Sequence, residues 1–242
     1  HINSTDTLTE SELLEIRDVF LAQTYCLPNE EVILLAKSVI EQYDNIIGPL
    51  FSTPNTINSF SKDPVVAPGL GIERAMVALQ QAILDVVITP EVYLEYPEHI
   101  DGWVFNTSLT FPGYVDPPAD PSVSHSVLIR ANFKDPDGSN PHLNINADQT
   151  SHALRPTGLY LAPGSVATVT VPNSLVGQDY YVRVGSHEWD LGIRPQFYRL
   201  DRITKKFLIN STTIDVFNPF GGAISILVPY EANDGIVEVS VK

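Results

Sequence analysis

Residues 166–172 read VATVTVP, and the side chains of this run alternate with a period of two. Ala167, Val169 and Val171 share one face, which is typical of a β-strand. Three later segments have the same β-rich composition: Tyr180–Val184, Ile224–Val228 and Ile236–Val241. The second half of the chain is therefore predicted to consist of short strands.

Turn-forming residues separate these strand segments. They are Pro163-Gly164, Pro172-Asn173, Gly177, Pro219 and Gly221-Gly222. Proline and glycine set the backbone angles that tight turns require. Short strands joined by turns fit an antiparallel sandwich or jelly roll better than a parallel sheet, which needs helices between its strands.

The first part of the chain has a helical period instead. A capping box formed by Thr9 and Glu12 precedes a first apolar run. Apolar residues then recur at helical spacing over 32–47 and over 72–87, where Pro90 is expected to end the helix. The sequence thus predicts a mainly β protein with a separate α-helical N-terminal part, in which a small helical bundle precedes an antiparallel, jelly-roll-like β-sandwich.

The boundary between the two parts is rich in proline. Pro112, Pro117, Pro118 and Pro121 occur within a short segment that follows Tyr96. Such a composition is typical of a semi-rigid linker. The predicted division is a helical domain at 1–95, a linker at 96–121 and the sandwich at 122–242.

The composition excludes several classes of partner. The chain has 242 residues, with 14 basic and 29 acidic side chains and a net charge of -15. This charge repels nucleic acid and anionic membrane surfaces. No apolar run approaches the roughly 18 residues that span a bilayer, so membrane insertion is not expected. The single cysteine, Cys26, excludes a disulfide within the chain.

Four stretches of the β half resemble, in order, a known family. They are Thr157–Gly164, Val166–Pro172, Val182–His187 and Asn218–Gly222, which the strand Ala223–Pro229 follows. Together they resemble the β-sandwich module that precedes the catalytic domain of enhancin-like, mucin-targeting zinc metallopeptidases, the M-sixty-like peptidases. The resemblance covers about residues 123–242.

The resemblance implies an accessory role rather than catalysis by this chain. Such modules lie beside a protease domain in secreted bacterial and viral proteins, so we expect a secreted or cell-surface location. The implied partners are glycoprotein or mucin glycans and an adjacent catalytic domain of the same polypeptide. We expect that catalytic domain, with its zinc ion, to follow Lys242 in a longer protein.

The family's zinc motif is incomplete in this sequence. His187-Glu188-Trp189-Asp190-Leu191 begins like the motif His-Glu-x-x-His, but Leu191 occupies the position of the second histidine. The two histidines of that motif lie one turn apart on a helix, where both can bind zinc. The chain is therefore predicted not to be an enzyme and to hold no zinc at this point.

Two groups of residues are candidate binding sites. Sugar recognition uses an aromatic ring that stacks on the sugar, together with polar groups that bind its hydroxyls. The segment after residue 186 offers both in Trp189, His187, Glu188, Asp190 and Arg194. A second segment spaces oxygen donors as a calcium loop does, with Asp135, Asp137 and Asn140, although no closing glutamate follows and a plain turn is the alternative.

Two other functions remain open at this level. The sandwich could serve as a structural domain that braces the protease domain. Alternatively, the chain could be an enzyme with a site built across strands, for which His125, His142, His152 and Asp148 supply possible metal ligands.

Overall fold

The structure is a computed structural model, and it describes residues 9–22, 28–52, 71–133, 150–188, 199–200 and 202–242. The helices of this described part are α1 (Glu10–Ala22), α2 (Glu30–Ile46), α3 (Gly71–Val86), α4 (Pro90–Glu95) and α5 (Pro97–Ile100). Short 3-10 helices occur at Asn106–Leu109 and Asn173–Leu175. No helix within the described ranges is both long and apolar enough to cross a membrane.

The second half of the chain is a β-sandwich. Its described strands are β1 (His125–Asn132), β2 (His152–Leu161), β3 (Val166–Thr170), β4 (Tyr181–Val184), β5 (Lys205–Leu208), β6 (Thr213–Phe217), β7 (Gly222–Pro229) and β8 (Asn233–Val241). They form two sheets with the orders β1-β8-β3-β6 and β2-β7-β4-β5, in which all neighbours are antiparallel. The chain changes sheet after every one of these strands except β4, which is a jelly-roll-like connectivity and confirms the predicted fold class.

The predicted strand pattern is confirmed in β3. Ala167 and Val169 are buried between the sheets, whereas Thr170 is exposed. A period of two therefore places alternate side chains in the core, as the sequence indicates. The segments 224–228 and 236–241 likewise lie in β7 and β8.

The Gly221-Gly222 pair at the start of β7 has a conformation that other residues rarely adopt. The φ angles are +62° and +129°. A Cβ atom on Gly222 would lie 2.5 Å from the Cα of Gly185. The pair therefore allows β7 to pass close to the end of β4, which agrees with the backbone freedom expected at this turn.

The helices begin at the caps that the sequence predicts. In the capping box of α1, the Thr9 amide donates to Glu12 Oε2 at 2.7 Å and the Glu12 amide donates to Thr9 Oγ1 at 3.3 Å. At the start of α2, Asn29 Oδ1 accepts from the Val32 amide at 2.9 Å. Helix α1 packs against α3, and Leu13 of α1 is buried together with Met76, Leu79 and Ile83 of α3.

Pro90 has a role that the sequence analysis did not foresee. The third helix ends at Val86, and Pro90 is the first residue of α4, whose N-cap is Thr89. Proline is favoured at the first helical position because the amide there needs no partner within the helix. Pro90, which was expected to end α3, therefore also begins α4.

The helical half, meaning the described residues before β1, packs on one end of the sandwich. The Gly102 amide donates to Gly164 O at 2.9 Å, and the Phe105 amide donates to Pro219 O at 3.0 Å. The Phe105 ring also lies edge-to-face against Phe220, with 5.1 Å between centroids. We call this end of the sandwich, with its β2–β3, β4–β5 and β6–β7 connections, the covered end.

Aromatic residues of the predicted linker take part in this packing. Trp103 and Phe105 are buried, and they belong to one hydrophobic core that continues into the strands. The Tyr93 ring in α4 lies 4.7 Å from the ring of Phe217 at the end of β6. The division into domains at 1–95, 96–121 and 122–242 stays a prediction.

Lys205, at the start of β5, makes a polar contact across this junction. Its ammonium group donates to Leu84 O at 2.7 Å, a carbonyl in the last turn of α3. Carbonyls at a helix C-terminus lack partners within the helix and carry partial negative charge. Burial lowers the pKa of Lys205 to about 8, although the carboxylates of Asp85 and Glu91 act in the opposite direction.

Candidate functional site

The segment that follows β4 lies at the covered end and contains two of the predicted sugar-binding residues. His187 is only 8% exposed, and its ring lies 5.7 Å from the ring of Phe111 in the helical half. Thr204 Oγ1 donates to the main-chain carbonyl of His187 at 2.8 Å. The imidazole of His187 therefore packs at the junction between the helical half and the sandwich.

The electrostatic surroundings of His187 favour the neutral ring. Burial lowers the pKa of His187, and the positive charges of Arg199 and Arg183 lower it further. The nearby backbone of Leu200 acts in the opposite direction. The ring is therefore suited to apolar packing near neutral pH.

Glu188 is held by two basic side chains. Its Oε1 lies 2.9 Å from Arg183 Nε, and its Oε2 lies 2.5 Å from Lys206 Nζ. The carboxylate is 39% exposed, so it remains accessible while it pairs with both cations. Arg183 and Lys206 are neighbours across the β4–β5 ladder, which explains why both reach the same carboxylate.

The other predicted site residues lie outside the described residues. They are Trp189, Asp190 and Arg194 of the sugar site, Leu191 of the incomplete zinc motif, and Asp135, Asp137 and Asn140 of the calcium loop. Cys26, His142 and Asp148 also lie there. The sugar site and the calcium loop therefore stay predictions.

His125 and His152, the two described histidines of the possible metal site, lie far apart. His125 begins β1 at the covered end, whereas His152 begins β2 at the opposite end. Within the described part of the chain, no group of three or more His, Cys, Asp or Glu side chains is placed to hold a metal ion.

The opposite end of the sandwich, which we call the open end, contains a pocket that the sequence analysis missed. The pocket measures about 430 Å³ and is lined by sandwich residues: Ser174, Gln178, Asp179, Tyr180, Pro229, Tyr230, Glu231, Ala232 and Asp234. This volume lies in the range of about 300–1,000 Å³ that is usual for small-molecule sites. The β3–β4 connection forms one wall and the β7–β8 turn forms another.

Hydrogen bonds hold the acidic groups of this pocket. Tyr180 is buried, and its hydroxyl donates to Asp234 Oδ2 at 2.5 Å. Burial raises the pKa of Tyr180, and the bond to Asp234 raises it further, so the phenol keeps its proton. In the β3–β4 connection, Asp179 Oδ2 lies 3.1 Å from His152 Nε2.

Two residues of the pocket wall have a backbone conformation that side chains rarely adopt. Asp179 has a φ of +61° and Glu231 a φ of +63°. The left-handed region costs a residue such as Glu231 roughly 1–2 kcal/mol, whereas aspartate tolerates it better. Strain of this kind is frequent around ligand sites, which makes the open-end pocket a candidate site.

A second cleft lies at the covered end beside the proline-rich segment. It measures about 680 Å³, and its walls include Pro117, Val123, Tyr160 and Val166. The Tyr160 hydroxyl donates to Gly113 O at 3.0 Å, which ties β2 to the segment before the prolines. This cleft is more apolar than the open-end pocket.

Comparison with protein families agrees with the resemblance seen in the sequence. Residues 135–242 match the model for the N-terminal domain of M60-like peptidases. The β half is therefore similar to the N-terminal domain of M60-like peptidases. The match includes β2 to β8, so it begins later than residue 123, where the sequence resemblance starts.

Curated proteins that are similar to this chain include vertebrate proteins. The TRPM8 channel-associated factor homolog of Xenopus laevis is 35% identical over 104 residues, which are 42% of this chain and 12% of that protein. The Danio rerio homolog is 28% identical over 129 residues, or 53% of this chain and 14% of that protein. This chain thus spans about an eighth of the length of these relatives.

Solved structures with a similar arrangement include IMPa metallopeptidase from Pseudomonas aeruginosa. It is 12% identical, with a TM-score of 0.45, and the match covers 96% of this chain and 23% of that one. IMPa in complex with an O-glycopeptide gives 13% identity and a TM-score of 0.47 over the same shares.

Proposed function

We propose that this chain is a non-catalytic recognition module of a secreted M60-like zinc metallopeptidase and helps it to bind glycosylated protein or mucin. The observation that carries the proposal is the match of residues 135–242 to the N-terminal domain of M60-like peptidases. In this proposal the zinc ion belongs to an adjacent catalytic domain of the same polypeptide.

The open-end pocket supports a recognition role. It combines an aromatic ring, Tyr230, with acidic and amide side chains. Sugars are recognised by this combination, because a ring packs against their C–H face while polar groups bind their hydroxyls. The predicted residues Trp189, Asp190 and Arg194 would offer a second set of such groups.

The experiment that tests the proposal compares the peptidase with and without this module. Cleavage of mucin should become slower when residues 1–242 are removed, whereas cleavage of an unglycosylated peptide should not change. The isolated chain should also bind a glycan array. Unchanged mucin cleavage together with an empty array would refute the proposal.

A structural role is the second candidate, and the 680 Å³ cleft at the covered end favours it. The cleft lies beside the junction with the helical half, and its apolar walls fit the surface of a neighbouring domain. Under this alternative, removal of the module should lower the melting temperature of the peptidase domain while its preference among substrates stays the same.

A further inference from the structure

The aromatic ring of the open-end pocket is held in place by its neighbours. Tyr230 is 36% exposed, and the ring of Phe133 meets it edge-to-face with 5.7 Å between centroids. Main-chain hydrogen bonds fix the same contact: the Glu231 amide donates to Phe133 O at 3.1 Å, and the Phe133 amide donates to Ala232 O at 2.9 Å. The ring is thus a partly exposed surface whose position is set before any ligand binds.

The polar wall of the pocket presents hydrogen-bond acceptors that are also fixed. Tyr180 holds Asp234, and His152 lies against Asp179, as described above. An ionised carboxylate accepts hydrogen bonds but donates none. Since each oxygen can accept more than one bond, both side chains can still accept from the hydroxyls of a ligand.

The charge of the lining selects among possible ligands. Asp179, Glu231 and Asp234 line the pocket, and among the described residues that line it there is no lysine or arginine. These carboxylates are not placed to share a metal ion. An anionic sugar such as sialic acid would meet like charge here, which costs affinity, whereas an uncharged sugar brings hydroxyl donors without a charge.

We infer that the open-end pocket binds an uncharged terminal sugar of a glycoprotein and rejects sialylated or sulfated chains. Tyr230 packs against the C–H face of the sugar, while Asp179 and Asp234 accept hydrogen bonds from its hydroxyls. This inference rests on the proposed recognition of glycosylated protein, and it adds the site and the charge preference.

Mucin before and after sialidase treatment is a matched pair of probes, because the two forms differ in sialic acid. The 242-residue chain is expected to bind the desialylated mucin at least about tenfold more tightly, as measured by biolayer interferometry at low salt. Higher salt should reduce this ratio, because salt screens repulsion between exposed charges. Tighter binding to the sialylated form would overturn the inference.

Two variants connect the binding to the pocket. Tyr230→Ala removes the ring, and Asp179→Asn removes one charge while keeping a side chain that tolerates a φ of +61°. Each is expected to weaken binding to desialylated mucin by about tenfold or more, in line with the loss of one stacking or charge-assisted contact. The control is Tyr114→Ala, since Tyr114 is 48% exposed and lies outside the pocket.

The possible outcomes separate this inference from the proposed function. If the chain binds desialylated mucin and both pocket variants bind as tightly as wild type, the site lies elsewhere and the inference fails while the proposed function stands. If the wild-type chain binds neither mucin, the inference fails, and the proposed function fails too when the glycan array is empty and mucin cleavage is unchanged without the module. Thermal melts of each variant establish that a loss of binding does not come from unfolding.

Discussion

The contact between Lys205 and the last turn of α3 makes the stability of the protein depend on pH. Replacement of Lys205 by Met keeps a side chain of similar length and removes the ammonium group that donates to Leu84 O. The lost hydrogen bond lowers the free energy of unfolding by roughly 1–3 kcal/mol, which changes little with pH. The pH-dependent contribution of Lys205 to the free energy of unfolding is separate from this loss and can be calculated.

The magnitude follows from the difference in pKa between the folded and the unfolded chain. Burial lowers the pKa of Lys205 from 10.5 to about 8. Between these values the unfolded chain binds more protons than the folded one, so the free energy of unfolding rises with pH. From pH 7.5 to 9.5 this rise is about 2 kcal/mol in the wild type, and the Lys205→Met variant lacks it.

Urea titrations at pH 7.5, 8.5 and 9.5, followed by tryptophan fluorescence, measure this rise as the difference between the two proteins. The range ends at pH 9.5 because tyrosines of the unfolded chain ionise near pH 10. Lys206→Met is the control, because it removes a neighbouring, 45% exposed lysine and keeps the contact between Lys205 and Leu84 O, so the rise should persist. A constant difference between wild type and Lys205→Met across the range would refute a desolvated ammonium group at the junction.

Three further predictions concern other contacts. Gly222→Ala should lower the free energy of unfolding by about 2–6 kcal/mol in urea titrations, because φ is +129° and the new Cβ would lie 2.5 Å from Gly185 Cα; an unchanged midpoint would contradict this close approach. Acidification from pH 7 to 5 should lower the melting temperature of the wild type more than that of His187→Gln. The pKa of His187 is lowered in the folded chain, so below about pH 6.5 the unfolded chain takes up a proton that the folded chain does not, and stability is lost. Equal losses of melting temperature in the two proteins would show that His187 is not responsible. Asn29→Ala should cost about 1 kcal/mol through loss of the α2 cap, and Asn29→Ser should restore most of it in the same assay.

The strands and caps could be predicted because their signals are local. The alternation of Ala167 and Val169 within β3, and the reciprocal bonds of Thr9 and Glu12, depend on residues a few positions apart. Sheet order depends on pairing between distant segments, such as β2 with β7, which a single sequence does not encode in any local pattern. Pro90 was misinterpreted in part because proline both ends one helix and favours the start of the next.

The open-end pocket was missed for a related reason. Asp179 and Tyr230 are about 50 positions apart in the sequence, and the pairing of Tyr181 with Leu227 in the β4–β7 ladder brings them together. A partial signal was available, since Tyr230 is an aromatic residue next to the polar residues Glu231, Asn233 and Asp234, as Trp189 is next to Glu188 and Asp190. The burial of His187 depends on Phe111, a residue of the distant helical half, so polarity alone could not reveal it.

The described strands number eight, and this even number means that β8 returns to the end from which β1 departs, where Val241 pairs with His125. The two ends of the sandwich lie one strand length apart, roughly 30 Å for a strand of nine residues. Tolerance to mutation should therefore differ along the strand axis. Loops at the open end can diverge and change what the protein binds, whereas the covered end must keep the glycines and aromatic rings against which the helical half packs.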